Sequence, residues 1–258
     1  MSTKLVTTII PCYNYSKWIT QAMDSVVEQD YPYKRIVVVD DGSTDGSTDK
    51  VLAECSISRE SNSGNGLVQY TATYKDVQVV CNRFEKNHGP SFARNFGIKM
   101  AWEGTDYFGI LDADDIWKPG RISKCLAKFE EAPDHIGLVY TDYETLNSET
   151  LLKIREFKEP YEYRRLLRNC IVTNACFISK QALGECGLYD EEMRVAEDWD
   201  LFLRIGERFM IVHIPESLVY IRVGNHNTTH SIPKEVWGQN WRRVAYKAQM
   251  RSKQRGVQ

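Results

Sequence analysis

Two aspartates separated by a single residue, Asp112 and Asp114, follow the apolar run 107–111. On an extended segment, side chains two positions apart project to the same side, so both carboxylates can share one divalent cation. Carboxylate ligands without a His or Cys pairing favour Mg²⁺ or Mn²⁺ over Zn²⁺, and such ions commonly carry a diphosphate. The spacing therefore predicts a Mn²⁺ or Mg²⁺ site, with a plain surface turn as the alternative.

More polar residues end two other apolar runs. Asp40 and Asp41 follow the run 36–39, and the segment 11–14 follows the run 5–10. Short, continuous apolar runs are typical of parallel strands that are buried on both faces. Because ligands bind beyond the carboxyl ends of such strands, we expect these residues to converge at one edge of a sheet. Several carboxylates there repel each other unless a cation or hydrogen-bond donors compensate.

Strands and helices must alternate to position these acids. Apolar residues recur at helical spacing from Trp18 to Val26, between the first two runs, which predicts a right-handed β-α-β unit. The same reasoning predicts further helices over 45–55, 92–102 and 121–129 and further strands over 77–80, 107–111, 137–140, 175–178, 210–214 and 218–223. The polar segment 56–76 is predicted to be a mobile surface loop. The fold class is α/β, and one two-lobed domain fits better than two domains.

Composition places the chain among ordinary globular proteins, with 258 residues, 42% hydrophobic residues and a formal net charge of -2. The seven cysteines contain no CxxC pair, which argues against a disulfide framework or a zinc ribbon and favours a reducing, cytoplasmic compartment. The apolar run 5–10 is too short for a signal peptide or a membrane span.

The segment from Trp237 to Gln258 has a different character from the rest of the chain. It contains no acidic residue and carries three aromatic side chains and six cations: Arg242, Arg243, Lys247, Arg251, Lys253 and Arg255. One interpretation is a helix that packs its aromatic residues on the body and leaves its basic face in solvent. The other is peripheral contact with an anionic membrane surface. Nucleic acid is not expected as a partner, because the remaining chain is acidic.

Five segments together resemble one known family. They are Thr8–Asn14 (TIIPCYN), Val39–Asp45 (VDDGSTD), Gly89–Asn95 (GPSFARN), Asp112–Asp115 (DADD) and the pair Glu197–Asp198. In this order, across about residues 5–231, they resemble the GT-A, family 2 inverting glycosyltransferases. Each motif alone is weak, whereas the ordered set is specific.

The resemblance implies a nucleotide-sugar donor whose base lies between Pro11, Tyr13 and Asp41, with Asp40 beside it. It places Arg94 near the nucleotide and diphosphate, Asp112 near the ribose and Asp114 on the metal ion. Simple packing of Tyr13 and a helix-surface position for Arg94 are the alternatives that each residue alone allows.

In the family, a Glu-Asp pair before a hydrophobic helix supplies the base that takes the proton of the acceptor hydroxyl, and Asp198 stands in the matching place. Without the resemblance, Asp198 or Asp200 would be interpreted as an acid that caps the helix. The resemblance also brings Arg222, Thr228 and His226 to the diphosphate and metal from a loop after the last strand, with His230 as the rival histidine.

These roles imply three parts of the chain: a nucleotide-sugar-binding half over 1–118, an acceptor and catalytic-base half over 119–231, and a basic, aromatic tail over 232–258. The expected activity is inverting, Mn²⁺- or Mg²⁺-dependent transfer of a single sugar. The donor is expected to be UDP-linked, and the acceptor to be a hydroxyl of a glycan or a lipid-linked molecule. Sugar-stacking faces for that acceptor are expected among Trp117, Tyr143, Tyr161, Tyr163 and Trp199, with core packing as the alternative.

Two other functions stay open at this point. A nucleotidyltransferase would also use acids at a sheet edge with magnesium, but the segment 11–15 lacks the glycines that a triphosphate-binding loop needs. A non-catalytic sugar- or nucleotide-binding module would be expected to lose its base or its metal ligand, whereas Asp198 and Asp114 are both present. The oligomeric state does not follow from the sequence.

Overall fold

The computed structural model of the protein describes residues 3–224 and 232–254. Its strands are β1 (Val6–Cys12), β2 (Lys34–Asp40), β3 (Ser56–Asn62), β4 (Leu67–Tyr74), β5 (Val77–Phe84), β6 (Tyr107–Ile110), β7 (Ile116–Trp117), β8 (Ile136–Asn147), β9 (Lys153–Glu156), β10 (Phe177–Ser179) and β11 (Met210–Val223). Its helices are α1 (Ile19–Val27), α2 (Ser47–Ala53), α3 (Pro90–Met100), α4 (Arg121–Glu131), α5 (Tyr163–Leu166), α6 (Lys180–Cys186), α7 (Glu197–Gly206) and α8 (Lys234–Gln254).

All the strands belong to one mixed sheet with the order β3-β4-β5-β2-β1-β6-β10-β8-β11-β7, and β9 pairs with β8. Strands β5, β2, β1 and β6 are mutually parallel, so their carboxyl ends share one edge. Strand β10 runs antiparallel between β6 and β8 and so joins the two predicted halves in a single sheet. The α/β class is confirmed, while the division of the chain at residues 118 and 231 stays a prediction.

Helices cover both faces of the sheet and form two apolar cores. On one face, Ile19 and Met23 of α1 pack with Phe129 of α4. On the other face, Ile98 of α3 packs with residues of α6, α7 and α8, including Phe202. Gly97 lets α3 lie directly on the sheet, because a Cβ there would come within 2.9 Å of an Ile9 methyl.

The segment 56–76 is not a loop, so this prediction was wrong. Strands β3 and β4 form an antiparallel hairpin that extends the sheet beyond β5. The signal was present in the alternation of Val68, Tyr70, Ala72 and Tyr74 with polar residues, since apolar side chains at every second position are typical of a half-buried strand.

Two further differences concern strands. The runs 210–214 and 218–223 form one strand, β11, whose register with β8 shifts between Ile214 and Tyr220. Strands β7 and β9 and helices α5 and α6 were not predicted, because each is seven residues or fewer and carries little periodicity. All seven cysteines are free thiols, as expected. Over the described residues, no helix has both the length and the apolar character needed to cross a membrane.

Candidate active site

A cleft of about 440 Å³ opens at the carboxyl edge of the parallel strands. Seven of the predicted site residues line it: Pro11, Tyr13, Asp41, Arg94, Asp112, Asp114 and Asp198. The other lining residues include Asn87, Asn174, Arg194, Glu197 and Trp237. Residues that are far apart in the sequence thus meet at the edge that the strand pattern predicts.

At one end of the cleft, Asp41 organises the loop that leads into α3. Its carboxylate accepts hydrogen bonds from the backbone N–H groups of His88 (2.9 Å) and Gly89 (2.7 Å), and the ring Nδ1 of His88 lies 3.0 Å away. The close approach depends on Gly42, which has a φ of +81° and whose missing Cβ would lie 2.7 Å from the Lys86 carbonyl carbon. The Asp-Gly pair therefore brings this loop to the cleft.

Asp40 does not reach this cleft, in contrast to its predicted place beside the base. Its carboxylate accepts from the N–H of Ser43 (2.8 Å) and the hydroxyl of Thr48, and it lines a separate cavity of about 100 Å³. Adjacent residues at the end of a strand project to opposite sides, so Asp40 and Asp41 cannot face the same space.

Tyr13 stands at the mouth of the cleft, and 46% of its surface is exposed. The next residue, Asn14, has a φ of +61°, and its side-chain oxygen accepts from the N–H of Thr44 at 2.9 Å. Because Asn tolerates this left-handed conformation, it ends β1 in a turn fixed to the segment after β2. That turn leaves the Tyr13 ring accessible to a ligand and excludes simple core packing.

The segment Asp112–Asp115 is a turn, and the prediction that it is extended was wrong. The N–H of Asp115 donates to the carbonyl of Asp112 at 3.0 Å, and both Asp112 and Asp114 still line the cleft. Asp112 accepts hydrogen bonds from Arg94 (2.9 Å) and Asn174 (3.2 Å). Asp114 is only 5% exposed, and burial together with the charge of Asp112 raises its pKa to about 7.

These oxygen donors fit a divalent cation that arrives with a phosphate ligand. In residues 3–224 and 232–254, no cluster of three or more His, Cys, Asp or Glu side chains is arranged to hold a metal ion. Mg²⁺ is commonly bound through one or two carboxylates, with substrate phosphates and waters as the other ligands. The charge of Arg222 opposes the rise in the pKa of Asp114 without cancelling it, and a cation beside this carboxyl would add further compensation.

Arg222 does not line the cleft, although it was predicted to lie at the diphosphate. Its Nε donates to the carbonyl of Asp114 (2.8 Å), its backbone N–H donates to the carboxylate of Asp115 (2.9 Å), and its Nη2 donates to Gln21 (2.9 Å). Arg222 of β11 is thus hydrogen-bonded to the Asp114–Asp115 turn and to Gln21 of α1, without lining the cleft.

Arg94 joins the two predicted halves of the site. Its Nη2 donates to Asp112 at 2.9 Å and its Nη1 donates to Glu197 at 2.7 Å. The side chain is buried beneath the cleft, so it is not a helix-surface cation. Burial opposes its charge, but Asp112 and Glu197 outweigh that effect and raise the pKa of the guanidinium.

Glu197 and Asp198 begin α7 after Ala196, whose φ of +59° is in the left-handed region that non-glycine residues rarely adopt. Asp198 lies partly open to the cleft, and its Oδ1 accepts from the N–H of Trp199 at 2.7 Å. Burial raises the pKa of Asp198 and raises that of Glu197 to about 7. A carboxylate whose pKa is raised in a cleft is a candidate general base.

Asp200, the alternative capping residue, instead belongs to the core. It is fully buried and lies 2.9 Å from Arg204 and 2.9 Å from Lys247 of α8. Although burial opposes this effect, these cations hold the pKa of Asp200 below its usual range. Asp200 therefore holds helices together and leaves Asp198 as the acid that faces the cleft.

Three of the predicted residues, His226, Thr228 and His230, lie outside the described residues, so their place relative to the cleft stays a prediction.

The family model for glycosyl transferase family 2 matches residues 7–191. The chain belongs to this family. The matched residues contain the segments 8–14, 39–45, 89–95 and 112–115, and the chain is a glycosyltransferase.

Two relatives of this family 2 enzyme are named for polysaccharide biosynthesis. WcaA of Escherichia coli strain K12, named as a colanic acid biosynthesis glycosyl transferase, is 29% identical over 242 residues, which cover 91% of this chain and 78% of WcaA. The succinoglycan biosynthesis protein ExoU of Rhizobium meliloti is 30% identical over 221 residues, 80% of this chain and 58% of ExoU.

Solved structures confirm the GT-A fold of the family 2 chain. The fragment 1–349 of Staphylococcus aureus TarS, solved with UDP-GlcNAc, matches with a TM-score of 0.67 at 20% identity and covers 89% of this chain and 61% of the fragment. The mannosyltransferase PcManGT of Pyrobaculum calidifontis, solved with GDP-Man and Mn²⁺, matches with a TM-score of 0.62 at 22% identity, over 88% of this chain and 59% of PcManGT.

The family motifs did not identify several residues that line the cleft, among them Asn87, Asn174, Arg194 and Trp237. Asn87 precedes the segment Gly89–Asn95 and could have been found by its proximity to that motif. Arg194 stands four residues before Asp198, and Trp237 lies in the tail, which was assessed only for packing and membrane contact. Asn174 has no motif around it, and only the fold brings it to Asp112.

Proposed function

We propose that the protein transfers one sugar from a nucleotide-diphosphate donor to a hydroxyl of a glycan or lipid-linked acceptor, with inversion at the anomeric carbon. The observation that carries the proposal is the presence of Asp41, Asp112, Asp114 and Asp198 in one cleft. These acids meet the needs of the reaction. Asp41 is a polar partner for the nucleotide base, Asp112 and Asp114 form a cation site for the diphosphate, and Asp198 is a proton acceptor.

The donor base would lie between Pro11 and Tyr13, near Asp41. The exposed Tyr13 ring offers a stacking face, and Asp41 with the loop 87–89 offers polar groups that are already fixed in position. A UDP-linked donor is our first choice. TarS was solved with UDP-GlcNAc and PcManGT with GDP-Man. Because these donors carry different nucleotides, the nucleotide that this chain prefers must be measured.

Asp114 would hold Mn²⁺ or Mg²⁺, with Asp112 as a second oxygen donor. When bound, such an ion would neutralise the negative charge that develops on the departing nucleoside diphosphate. Arg222 keeps the Asp114–Asp115 turn in place through its hydrogen bond to the Asp114 carbonyl, and Asn174 and Arg94 orient Asp112. Contacts of His226 and Thr228 with the diphosphate remain part of the proposal.

Asp198 would act as the general base. It takes the proton of the acceptor hydroxyl as that oxygen bonds to the anomeric carbon, while the bond from this carbon to the diphosphate oxygen breaks on the opposite face. A single displacement inverts the configuration, so an α-linked donor gives a β-linked product. Glu197 is engaged by Arg94 and serves to position the helix that carries the base.

By analogy with WcaA and ExoU, we place this reaction in polysaccharide biosynthesis. A cytoplasmic location remains a proposal. Peripheral membrane contact through the tail has less support than its alternative, because Arg243, Lys247 and Arg251 are engaged with acids of the body. Among the described cations of this tail, Lys234, Arg242 and Lys253 are exposed.

The decisive experiment compares Asp198→Asn with the control Asp134→Asn, which changes an exposed aspartate remote from the cleft. Thermal shifts with UDP-, GDP-, CDP- and dTDP-sugars, with Mn²⁺ and then with chelator, first identify the donor. We expect Asp198→Asn to bind that donor normally and to lose transfer by about 10³-fold or more, since the base acts mainly in the transition state. Equal losses of binding and transfer would contradict the role of Asp198. Full transfer by the variant would assign the proton acceptor to another residue. Donor binding without any transfer by the wild type would favour a non-catalytic module.

A further inference from the structure

Arg194 is a cleft cation that the donor and base assignments do not use. Five acids line the same cleft, Asp41, Asp112, Asp114, Glu197 and Asp198, and the charge of Arg94 is shared between two of them. Arg194 is exposed, and no carboxylate of the described part of the chain lies within ion-pair distance of it. Its guanidinium is therefore available to an anionic ligand.

Trp237 gives a second observation on the same cleft. It belongs to α8, at the far end of the chain, yet its half-buried side chain lines the cleft together with Ile232. Buried Val244 and Ala248, with the ion pair of Lys247 to Asp200, anchor α8 on the body. An indole held on an anchored helix offers a flat apolar face of the kind on which sugar rings stack.

The residues expected to stack sugars do not provide such a face at the cleft. Trp117 and Trp199 are buried, and the indole N–H of Trp199 donates to the carbonyl of Leu166 at 2.6 Å. Tyr143, Tyr161 and Tyr163 do not line the cleft either. Trp237 and the tyrosines Tyr13 and Tyr15 are the aromatic side chains that the described residues contribute there.

We propose that Arg194 and Trp237 form an acceptor subsite for a sugar that carries a negatively charged group, a carboxylate or a phosphate. The inference rests on the proposed function, because it takes Asp198 as the base. An anion entering a cleft rimmed by carboxylates is repelled unless a cation meets it, and a guanidinium pairs with carboxylate and phosphate oxygens through two parallel hydrogen bonds. Arg194 supplies that cation and Trp237 the face for the ring.

The placement favours the acceptor over the donor diphosphate. Arg194 and Asp198 lie on one short segment, 194–198, which lines the cleft. The base must reach the acceptor hydroxyl within hydrogen-bond distance, so residues of its own segment flank the acceptor. The diphosphate leaves from the opposite face of the anomeric carbon, toward the turn that holds Asp112 and Asp114.

The test uses three matched probes, methyl β-glucoside, methyl β-glucuronide and methyl β-glucoside 6-phosphate. Each is titrated into the full chain in the presence of saturating nucleoside diphosphate and Mn²⁺. We expect at least one anionic probe to bind about tenfold tighter than the neutral probe, the gain of one charge-assisted pair. Arg194→Gln should abolish this preference and leave neutral binding unchanged. Trp237→Ala should weaken the binding of all three probes, and Trp237→Phe should retain most of the wild-type affinity. Arg208→Gln, at an exposed arginine on the surface, is the control.

The outcomes separate this inference from the proposed function. Equal affinity of wild type for all three probes would overturn the anionic subsite. A loss of nucleoside diphosphate affinity in Arg194→Gln, without a change in probe preference, would assign Arg194 to the donor and also overturn it. Full transfer by Asp198→Asn would refute the proposed base while leaving the measured probe preference in place.

Discussion

Arg94 of α3 donates to Glu197 of α7 at 2.7 Å, and its second nitrogen donates to Asp112 at 2.9 Å. A single buried guanidinium thus fixes the end of β6 relative to the helix that begins with the candidate base. The distance between the Asp112–Asp115 turn and Asp198 depends on this bridge. Its integrity should therefore matter for stability and for transfer together.

Replacing Arg94 tests this bridge. Arg94→Ala leaves Glu197 buried without its cation, and we expect the free energy of unfolding to fall by about 3–5 kcal/mol. Transfer should fall by about 10²-fold or more, because small displacements of reacting groups are costly. Urea unfolding and initial rates measure both effects. The control Arg208→Ala, at an exposed arginine paired with Glu185, should change stability by less than about 1 kcal/mol. Equal losses of stability and of transfer in the two variants would show that the Arg94 bridge contributes no more than an exposed ion pair.

Gly42 should be sensitive for a steric reason. A Cβ at Gly42 would lie 2.7 Å from the Lys86 carbonyl carbon and 2.8 Å from the Asn87 nitrogen, so Gly42→Ala must displace the loop that Asp41 holds. We expect donor affinity to fall about tenfold, measured by calorimetry. Gly104→Ala is the matched control, since Gly104 has a φ of +79° and open space around its Cα. Similar losses in both variants would indicate backbone strain alone and not the close approach.

Removal of the candidate metal ligand should change how donor binding depends on Mn²⁺. With Asp114→Asn we expect donor affinity in Mn²⁺ to fall to the level that wild type shows in chelator, because the amide oxygen is a poorer ligand than a carboxylate. Asp134→Asn should keep the wild-type dependence on Mn²⁺. Transfer that persists fully in excess chelator would refute the metal role.

The pH dependence of transfer should report on Asp198. The base must be a carboxylate, and burial raises its pKa, so kcat should fall as pH falls through a value above the usual range for aspartate. The charge of Asp112 adds to this rise, so Asp112→Asn should move the acid limb of the kcat profile to lower pH. The residual activity of Asp198→Asn should lack the limb. An unchanged limb in both variants would assign it to another group.

The ion pairs of Lys247 that hold α8 on the body can be tested by comparing two lysines of α8. Lys247 lies 3.0 Å from Asp190 and 2.9 Å from the fully buried Asp200, whereas Lys253 is exposed. We expect Lys247→Ala to lower the free energy of unfolding by about 2 kcal/mol, the contribution of a hydrogen bond between charged groups. Lys253→Ala should leave stability within about 0.5 kcal/mol of wild type. A larger loss of stability in Lys253→Ala than in Lys247→Ala would argue against a stabilising role for the Lys247 ion pairs.

The amino-acid sequence by itself determined where the site lies. Apolar runs that end in Pro11, Asp41 and Asp112 must be parallel strands, and their carboxyl ends must share an edge, so the acids had to converge. The helical segment that begins with Glu197 and Asp198 was also evident from local pattern. These features depend on short-range periodicity, which can be recognised from neighbouring residues in the sequence.

Only the tertiary structure decided how those residues are used. Both Asp40 and Asp41 look alike in the sequence, but the orientation of β2 and the approach of the loop 87–89 send only Asp41 into the cleft. Arg222 hydrogen-bonds to the Asp114–Asp115 turn because of the register of β11 on its neighbours. Trp237 reaches the cleft because α8 packs on α7 through Val244 and Ala248. Each of these contacts joins residues distant in the chain, and no local pattern encodes their distance or direction.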